Sequence, residues 1–153
     1  MIFLKKTTLL LFLLLVYGCG YSPLLNSVEN DFYIKNLTFK GDRQINNYIS
    51  NNLKKYRSEK ENKKNYDVEI ASKYIKNISN KDDKGNPKNY MVKTEVTINF
   101  VSNEGIKTTK KFERNKNLSA QNKKILEKEL EIKYKRDLSK LLSQDIIFLL
   151  RNQ

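Results

Sequence analysis

The most regular alternation of hydrophobic and polar residues lies in the middle of the chain. The even-numbered positions are mostly apolar: Tyr90, Val92, Thr94, Val96, Ile98 and Phe100. The odd-numbered positions from 93 to 99 are polar: Lys93, Glu95, Thr97 and Asn99. Successive side chains of a strand point to opposite faces of its sheet. The segment therefore predicts a strand with one buried face and one polar face.

Three more segments have the β-branched and aromatic composition of strands. They are Phe32–Phe39, about Tyr66–Ile78, and Ile106 to about Arg114. The last is expected to point Thr108 and Phe112 inward. The intervening segments are rich in charged or turn-forming residues: they predict a charged loop over 57–65, a mobile hairpin loop over 79–87 and a tight turn at 103–105.

Two segments carry apolar residues at the spacing of a helix. The first follows Asp42, a suitable N-cap, and contains Ile45, Tyr48, Ile49, Leu53 and Tyr56. The second starts at Ser119 or Asn122 and contains Leu126, Leu130, Tyr134, Leu138, Leu141, Leu142, Ile146 and Leu149. The predicted order β-α-β-β-β-α favours an α+β two-layer sandwich, a mixed sheet of about four strands with two helices packed on one face.

The N-terminal segment has the three-part organisation of a secretory signal peptide. Lys5 and Lys6 precede an apolar run, Leu9–Val16, which ends just before Gly18 and Cys19. A bilayer-spanning helix needs about 20 apolar residues, so this run is too short for a transmembrane anchor. The prediction divides the chain into a lipoprotein signal peptide (1–18), a lipid-anchored tether (19–31) and a single α+β domain (32–153).

The tetrapeptide Val16-Tyr17-Gly18-Cys19 resembles the lipobox of bacterial lipoproteins and contains the only cysteine of the chain. This resemblance implies lipid attachment at the Cys19 sulfur, cleavage before Cys19 and acylation of the new amino group. Several acyl chains on one residue anchor a protein stably, whereas one chain holds only marginally. In many Gram-negative bacteria an Asp directly after the lipidated cysteine favours retention in the inner membrane. This chain has Gly20 at that position, so we expect the outer membrane. The alternative is a signal peptide cut elsewhere, with Cys19 incidental.

The formal net charge is +13, and removal of Lys5 and Lys6 with the signal peptide leaves +11 on the side chains. Strongly basic domains bind polyanions such as nucleic acid or anionic lipid. Export argues against nucleic acid and leaves lipopolysaccharide as the abundant polyanion of an outer membrane. The alternative is a solvated surface that reflects the codon bias of an A+T-rich genome, since the chain is rich in Lys, Asn, Ile and Tyr.

Candidate catalytic and metal-binding residues are few. The chain has no histidine, which excludes the usual serine and cysteine triads and the His/Cys zinc sites. Asp82 and Asp83 lack later ligands at calcium-loop spacing, so they are expected to be turn residues. We therefore expect no metal, no cofactor and no enzymatic activity.

Two basic clusters remain as candidate binding residues. Lys54, Lys55, Arg57, Lys60, Lys63 and Lys64 surround the loop after the first helix, where Glu59 and Glu61 dilute them. Lys107, Lys110, Lys111, Arg114 and Lys116 follow the fourth strand, with Lys107 and Lys111 expected on its outer face. Lys107, Lys110, Lys111 and Arg114 are our candidates for contact with lipopolysaccharide or a partner. The alternative is that edge-strand lysines only discourage aggregation.

Several features together resemble the LPS-assembly lipoprotein LptE family. Cys19 is followed directly by Gly20-Tyr21-Ser22-Pro23-Leu24, and the last helix carries Arg136-Asp137-Leu138, Leu141-Leu142, Asp145-Ile146 and Leu149-Leu150. The predicted element order fits the family as well. The resemblance implies an outer-membrane lipoprotein that plugs an LptD-like barrel, supports its assembly and helps insert lipopolysaccharide into the outer leaflet. It carries over one residue, Cys19.

Two other functions stay open at this point. The same fold could serve a periplasm-facing lipoprotein adaptor that binds peptidoglycan or a transporter component. A hydrolase using Ser and Lys is the third, but Ser139-Lys140 falls inside a predicted helix rather than at a strand–helix elbow.

Overall fold

A computed structural model describes residues 32–57 and 64–153 of the chain. The elements are β1 (Phe32–Gly41), α1 (Arg43–Leu53), a 3-10 turn (Lys54–Tyr56), β2 (Lys64–Lys81), β3 (Pro87–Ser102), β4 (Lys107–Ser119) and α2 (Lys124–Arg151). This order confirms the predicted α+β architecture. The predicted signal peptide, the tether and Cys19 lie outside the described residues.

The four strands form one mixed sheet in the order β1-β2-β3-β4. β1 and β2 are parallel because α1 crosses between them, whereas β2, β3 and β4 are joined by tight turns and run antiparallel. Both helices pack on one face and are close neighbours: Asn52 of α1 donates a 3.2 Å hydrogen bond to Ser143 of α2. The opposite face of the sheet carries no helix in the described ranges.

The junction between β1 and α1 is fixed by Gly41 and Asp42. Gly41 has φ +91°, and a Cβ atom there would lie 1.9 Å from the carbonyl oxygen of Ser72, so only glycine fits. Asp42 Oδ1 accepts hydrogen bonds from the backbone N–H groups of Gln44 (2.9 Å) and Ile45 (3.0 Å). The predicted N-cap is thereby confirmed.

The predicted alternation along β3 is also confirmed. Val92, Val96 and Ile98 are fully buried beneath the helices, whereas their odd-numbered neighbours lie on the open face. Thr94 belongs to the buried set although it is polar. The period-2 pattern therefore identified both faces of the sheet correctly.

The core divides into two halves along the strands. The apolar half is filled by buried residues from every element except β4: Phe32, Ile34, Ile45, Ile49, Leu53, Tyr56, Tyr66, Val68, Ile70, Val96, Ile98, Phe100, Leu142, Ile146 and Leu150. β1 ends opposite Ser72, so beyond that residue α2 covers the sheet with little help from α1. In this second half only Val92, Leu118 and Leu138 form a buried apolar cluster.

Polar side chains complete the second half, which we call the charged half. Its members are Lys76, Lys135, Glu127, Glu131, Asp42, Tyr74 and Tyr90. Lys76 Nζ lies 2.8 Å from Glu127 and 2.9 Å from Glu131, and 4.4 Å above the ring of Tyr90. Lysine and tyrosine can cover an apolar sheet with their stems and rings while keeping a polar end satisfied.

Several boundaries differ from the sequence prediction. β2 reaches Lys81 because Asn80 and Lys81 pair with Asn89 and Pro87 of β3. β4 reaches Ser119 because Asn89–Glu95 of β3 pairs with Glu113–Ser119. These extensions are rich in Lys and Asn, and cross-strand pairing outweighs their low strand propensity. The hairpin loop shrinks to a turn in which Asp82 Oδ1 accepts from the N–H groups of Lys84 (2.9 Å) and Asn86 (2.7 Å).

Helix α2 begins at Lys124, later than either predicted start, and it has no side-chain cap. Two of its serines are buried: Ser139 donates to the Lys135 carbonyl and Ser143 to the Ser139 carbonyl, each at 2.7 Å. Their small size lets α1 approach. Within 32–57 and 64–153, no helix combines the length and apolar character needed to cross a bilayer.

Candidate functional site

The predicted basic residues lie on β4, which is an edge strand: it pairs with β3 on one side and with no other described strand on the other. The register pairs Lys110 with buried Ile98 and Arg114 with buried Thr94, so both point to the helix side. Lys107 and Lys111 point to the open face, as predicted from alternation. The structure therefore distributes the four predicted residues over both faces of one edge strand.

Arg114 is held by an acidic residue of α2. Its Nε and Nη2 atoms donate to Asp145 at 3.0 and 2.7 Å, a bidentate pair. These hydrogen bonds, with the charge of Asp145, raise the pKa of Arg114. Lys116 follows the same pattern, lying 3.6 Å from Asp137 and 4.7 Å from the ring centre of Tyr134. Both side chains attach β4 to α2.

Lys111 belongs to a row of alternating charges on the open face. It lies 3.1 Å from Glu95, which is 2.6 Å from Lys93, and Lys93 is 3.6 Å from Glu113. Hydrogen bonds from Lys93 and Lys111 lower the pKa of the Glu95 carboxyl. The acids of this face therefore neutralise much of its basic charge.

Lys107 and Lys110 differ from the other candidates. Both are exposed, and neither forms an ion pair or hydrogen bond with the side chains of residues 32–57 and 64–153. They are consequently the cations of this strand that remain available to an outside anion.

The free edge of β4 presents a regular row of backbone groups. Ser102 N–H donates to the Ile106 carbonyl at 3.1 Å, and Ala120 N–H donates to the Lys88 carbonyl at 3.0 Å. In an antiparallel ladder, hydrogen-bonded pairs recur at every second residue. Even-numbered residues of β4 therefore face β3, and the odd-numbered ones from Lys107 to Ser119 point their N–H and C=O groups to the free edge.

An apolar flank accompanies this edge on the helix side. Phe148 is 71% exposed and Leu141 is 46% exposed. Asp145 contacts Arg114 of β4, and Leu141 and Phe148 are four residues before it and three residues after it. Residues three and four apart share one side of a helix, so both apolar side chains lie on the side of α2 that faces β4. We call the free edge of β4 together with Leu141 and Phe148 the β4 docking edge. The sequence pattern did not identify this edge, because Leu141 has the same helical spacing as the apolar residues of α2 that are buried.

The other polar cluster is the charged half of the core, where each ionic group has a partner. Lys135 Nζ lies 3.0 Å from Asp42 and 4.2 Å above Tyr74. Burial raises the pKa of Asp42, but hydrogen bonds from Ile45 and Lys135 outweigh it and hold that pKa below its usual value. These side chains are occupied in holding α2 to the sheet and the start of α1.

A cleft of about 800 Å³ opens beside the charged half, lined by Gln44, Tyr90, Glu131 and Lys135 among others. Within the described ranges, no group of three or more Asp, Glu, Cys or His side chains is placed to hold a metal ion. The β4 docking edge combines free backbone groups with Lys107 and Lys110, which lack a partner among the described side chains, so it is a better candidate for binding than this cleft.

Comparison with known proteins identifies the fold. No protein-family model matches the sequence, and no curated protein matches it. The structure is similar to rare lipoprotein B from Shewanella oneidensis (TM-score 0.58, 10% identity, 76% of this chain and 94% of that one). An uncharacterized lipoprotein B from Nitrosomonas europaea gives a TM-score of 0.54 with 12% identity over 78% of this chain and 84% of the other.

A minor lipoprotein from Acinetobacter baumannii is similar as well, with a TM-score of 0.52 and 14% identity over 76% of this chain and 91% of that one. At such identities the likeness shows the fold. The described domain therefore has a fold found in bacterial lipoproteins and spans nearly the whole length of these structures.

Proposed function

We propose that this chain is an outer-membrane lipoprotein that plugs an LptD-type barrel, supports the assembly of that barrel and assists lipopolysaccharide insertion into the outer leaflet. Its mechanism is binding and scaffolding, without a covalent step. Lipid at Cys19 attaches it to the membrane, and the domain acts through its surface.

The proposal is carried by the agreement between two independent features. The fold is that of three structures named as lipoproteins, and the same chain places Cys19 after an apolar run and before Gly20-Tyr21. An anchored lipoprotein is the function class that both features favour.

The surface chemistry is compatible with a plug. A barrel lumen is lined by polar side chains. The open face of the sheet is polar too, and its charges are compensated by pairs such as Lys40–Glu69 (2.8 Å) and Lys111–Glu95 (3.1 Å). A compensated polar face can lie against a polar wall without burying an unpaired charge. Lys107 and Lys110 remain available for the predicted contact with lipopolysaccharide or the barrel.

Affinity purification tests this proposal. The tagged full-length lipoprotein is isolated from detergent-solubilised outer membranes of the organism that encodes it, and the bound proteins are identified by mass spectrometry. We expect a large β-barrel protein in about equimolar amount. The Cys19→Ser variant, which cannot carry a thioether lipid, is the matched control and is expected in the periplasmic soluble fraction.

Two results would contradict the proposal. Recovery of the lipoprotein without a barrel would exclude the plug. Recovery with peptidoglycan or transporter components would instead support the lipoprotein adaptor.

A further inference from the structure

The two edges of the sheet differ in their readiness to accept another strand. β1 is interrupted by a register shift between Ile34 and Asn36, and it ends at the left-handed Gly41. β4 pairs with β3 without a shift from Lys107 to Ser119. Bulges are one of the devices by which proteins protect a sheet edge from strand addition. The described part of β4 lacks that protection.

A strand added to β4 would meet two different sets of side chains. Its residues on the helix side would lie over Phe148 and Leu141, which are 71% and 46% exposed. Its residues on the open face would lie beside Lys107 and Lys111. Strand addition of this kind takes its affinity from main-chain hydrogen bonds and its specificity from alternate side chains.

The charge of β4 selects among such strands. Lys111, Arg114 and Lys116 are already paired with acids of β3 and α2, so Lys107 and Lys110 carry the charge of this strand that no described side chain compensates. A second copy of β4 would place lysines against lysines, which costs free energy. An acidic segment would instead neutralise them, so the same residues oppose self-pairing and favour a partner of opposite charge.

We propose that the β4 docking edge binds an extended acidic segment of the barrel partner as a fifth strand of the sheet. The segment has apolar residues toward Phe148 and carboxylates toward Lys107. This inference rests on the proposed function, because the barrel supplies the segment. It specifies which surface of the lipoprotein meets the barrel.

Site-specific photo-crosslinking tests the inference in the full-length lipoprotein. A photoreactive phenylalanine analogue replaces Asn115, on the free edge, or Phe148. Ile125 and Lys73 are the control positions: Ile125 is equally exposed at 73% on α2, and Lys73 lies away from β4. We expect positions 115 and 148 to crosslink to one and the same segment of the barrel, and any barrel crosslinks from positions 73 and 125 to fall outside that segment.

Matched substitutions provide the second measurement. Asn115→Pro removes an N–H group that points to the free edge, whereas Asn115→Ala keeps it. Phe148→Ser removes the exposed aromatic ring beside β4, and Ile125→Ser removes an apolar side chain of similar exposure elsewhere on α2. We expect Asn115→Pro and Phe148→Ser each to lower barrel recovery about tenfold, with the two control variants near wild type. Circular dichroism melting confirms that each variant is folded.

The outcomes separate this inference from the proposed function. Barrel recovery with crosslinks only from positions 73 or 125, or unchanged recovery with both Asn115→Pro and Phe148→Ser, would overturn the inference and leave the plug intact. Absence of the barrel from the wild-type purification would overturn the proposed function. Crosslinks from position 115 to a second copy of this chain would likewise overturn the acidic-partner inference.

Discussion

The apolar half and the charged half of the core are covered by the same helix but held by different forces. Near Ile146 and Leu150, α2 packs on an apolar interior to which both β1 and α1 contribute. Near Glu127 and Glu131 it reaches the sheet through Lys76 and Tyr90. The difference follows from chain geometry, because β1 stops opposite Ser72, and beyond that residue α2 covers the remaining three strands with little help from α1.

This comparison shows where the stability of the domain resides. Hydrophobic burial scales with area and is not screened by salt, whereas ion pairs weaken with salt and with protonation of their carboxylates. The apolar half should therefore set the global stability. The charged half should determine how stability responds to the solution.

The largest effect is expected from a cavity in the apolar half. Ile146 is fully buried, so Ile146→Ala should lower the free energy of unfolding by about 2–5 kcal/mol. Urea denaturation followed by circular dichroism measures it. Phe148→Ala on the same helix is the control, expected within about 0.5 kcal/mol of wild type because that ring is exposed. Equal losses in the two variants would mean that α2 is rotated relative to this structure.

A smaller loss is expected in the charged half. Burial opposes the charge of Lys76, but hydrogen bonds to Glu127 and Glu131 outweigh it and raise the pKa of Lys76. Lys76→Met leaves both carboxylates without their cation and should cost about 1–2 kcal/mol, less than a fully buried pair because the side chains are partly exposed. Lys133→Met, an exposed lysine of α2, is the control. If Lys76→Met were more stable than the wild type, apolar packing at this position would contribute more to stability than the ion pairs of Lys76 with Glu127 and Glu131.

The charged half also predicts a dependence on pH. The hydrogen bond from Lys76 lowers the pKa of Glu127 below its ordinary value of 4.5. A carboxyl with a lowered pKa in the folded state stabilises the fold above its ordinary pKa, and that stabilisation is lost as pH falls through the folded pKa. The thermal midpoint should therefore fall on acidification below about pH 4.5, and Glu127→Gln should show a smaller fall. An equal fall of the thermal midpoint in the wild type and in Glu127→Gln would show that protonation of Glu127 does not cause the pH dependence.

The smallest effect is expected on the open face. Glu95 accepts hydrogen bonds from Lys93 and Lys111 at the surface of the sheet. Glu95→Gln should lower the thermal midpoint less than Lys76→Met does, and the difference from wild type should disappear in about 1 M NaCl because salt screens surface charges. If Glu95→Gln lowered the thermal midpoint more than Lys76→Met does, the ion pairs of the open face would contribute more to stability than those of the charged half, contrary to this expectation.

Much of the fold could be predicted from local sequence. The alternation from Tyr90 to Phe100 and the N-cap at Asp42 are both governed by short-range geometry, and both predictions are confirmed. The far ends of β2 and β4 could not be predicted, because Lys- and Asn-rich segments become strands only through pairing with β3. Strand order depends on contacts distant in sequence, so the pattern left it open.

The candidate site could be predicted less completely. Clustering of basic residues located β4, and alternation placed Lys107 and Lys111 on the open face. The pairing of Arg114 with Asp145 depends on how α2 lies across the sheet, which helical spacing alone does not specify. For the same reason Leu141 was assigned to the core, since it has the spacing of a buried residue but faces the edge of the sandwich.

Hydrogen exchange of the co-purified complex tests the central claim most directly, namely that the barrel binds the β4 docking edge. Amide exchange is compared peptide by peptide between the free full-length lipoprotein and the complex. We predict slower exchange in the peptides that cover Lys107–Ser119, because their odd-numbered amides are expected to slow about tenfold or more, and unchanged exchange in β1, whose edge is interrupted. Unchanged exchange in Lys107–Ser119 of a complex that contains the barrel would contradict it.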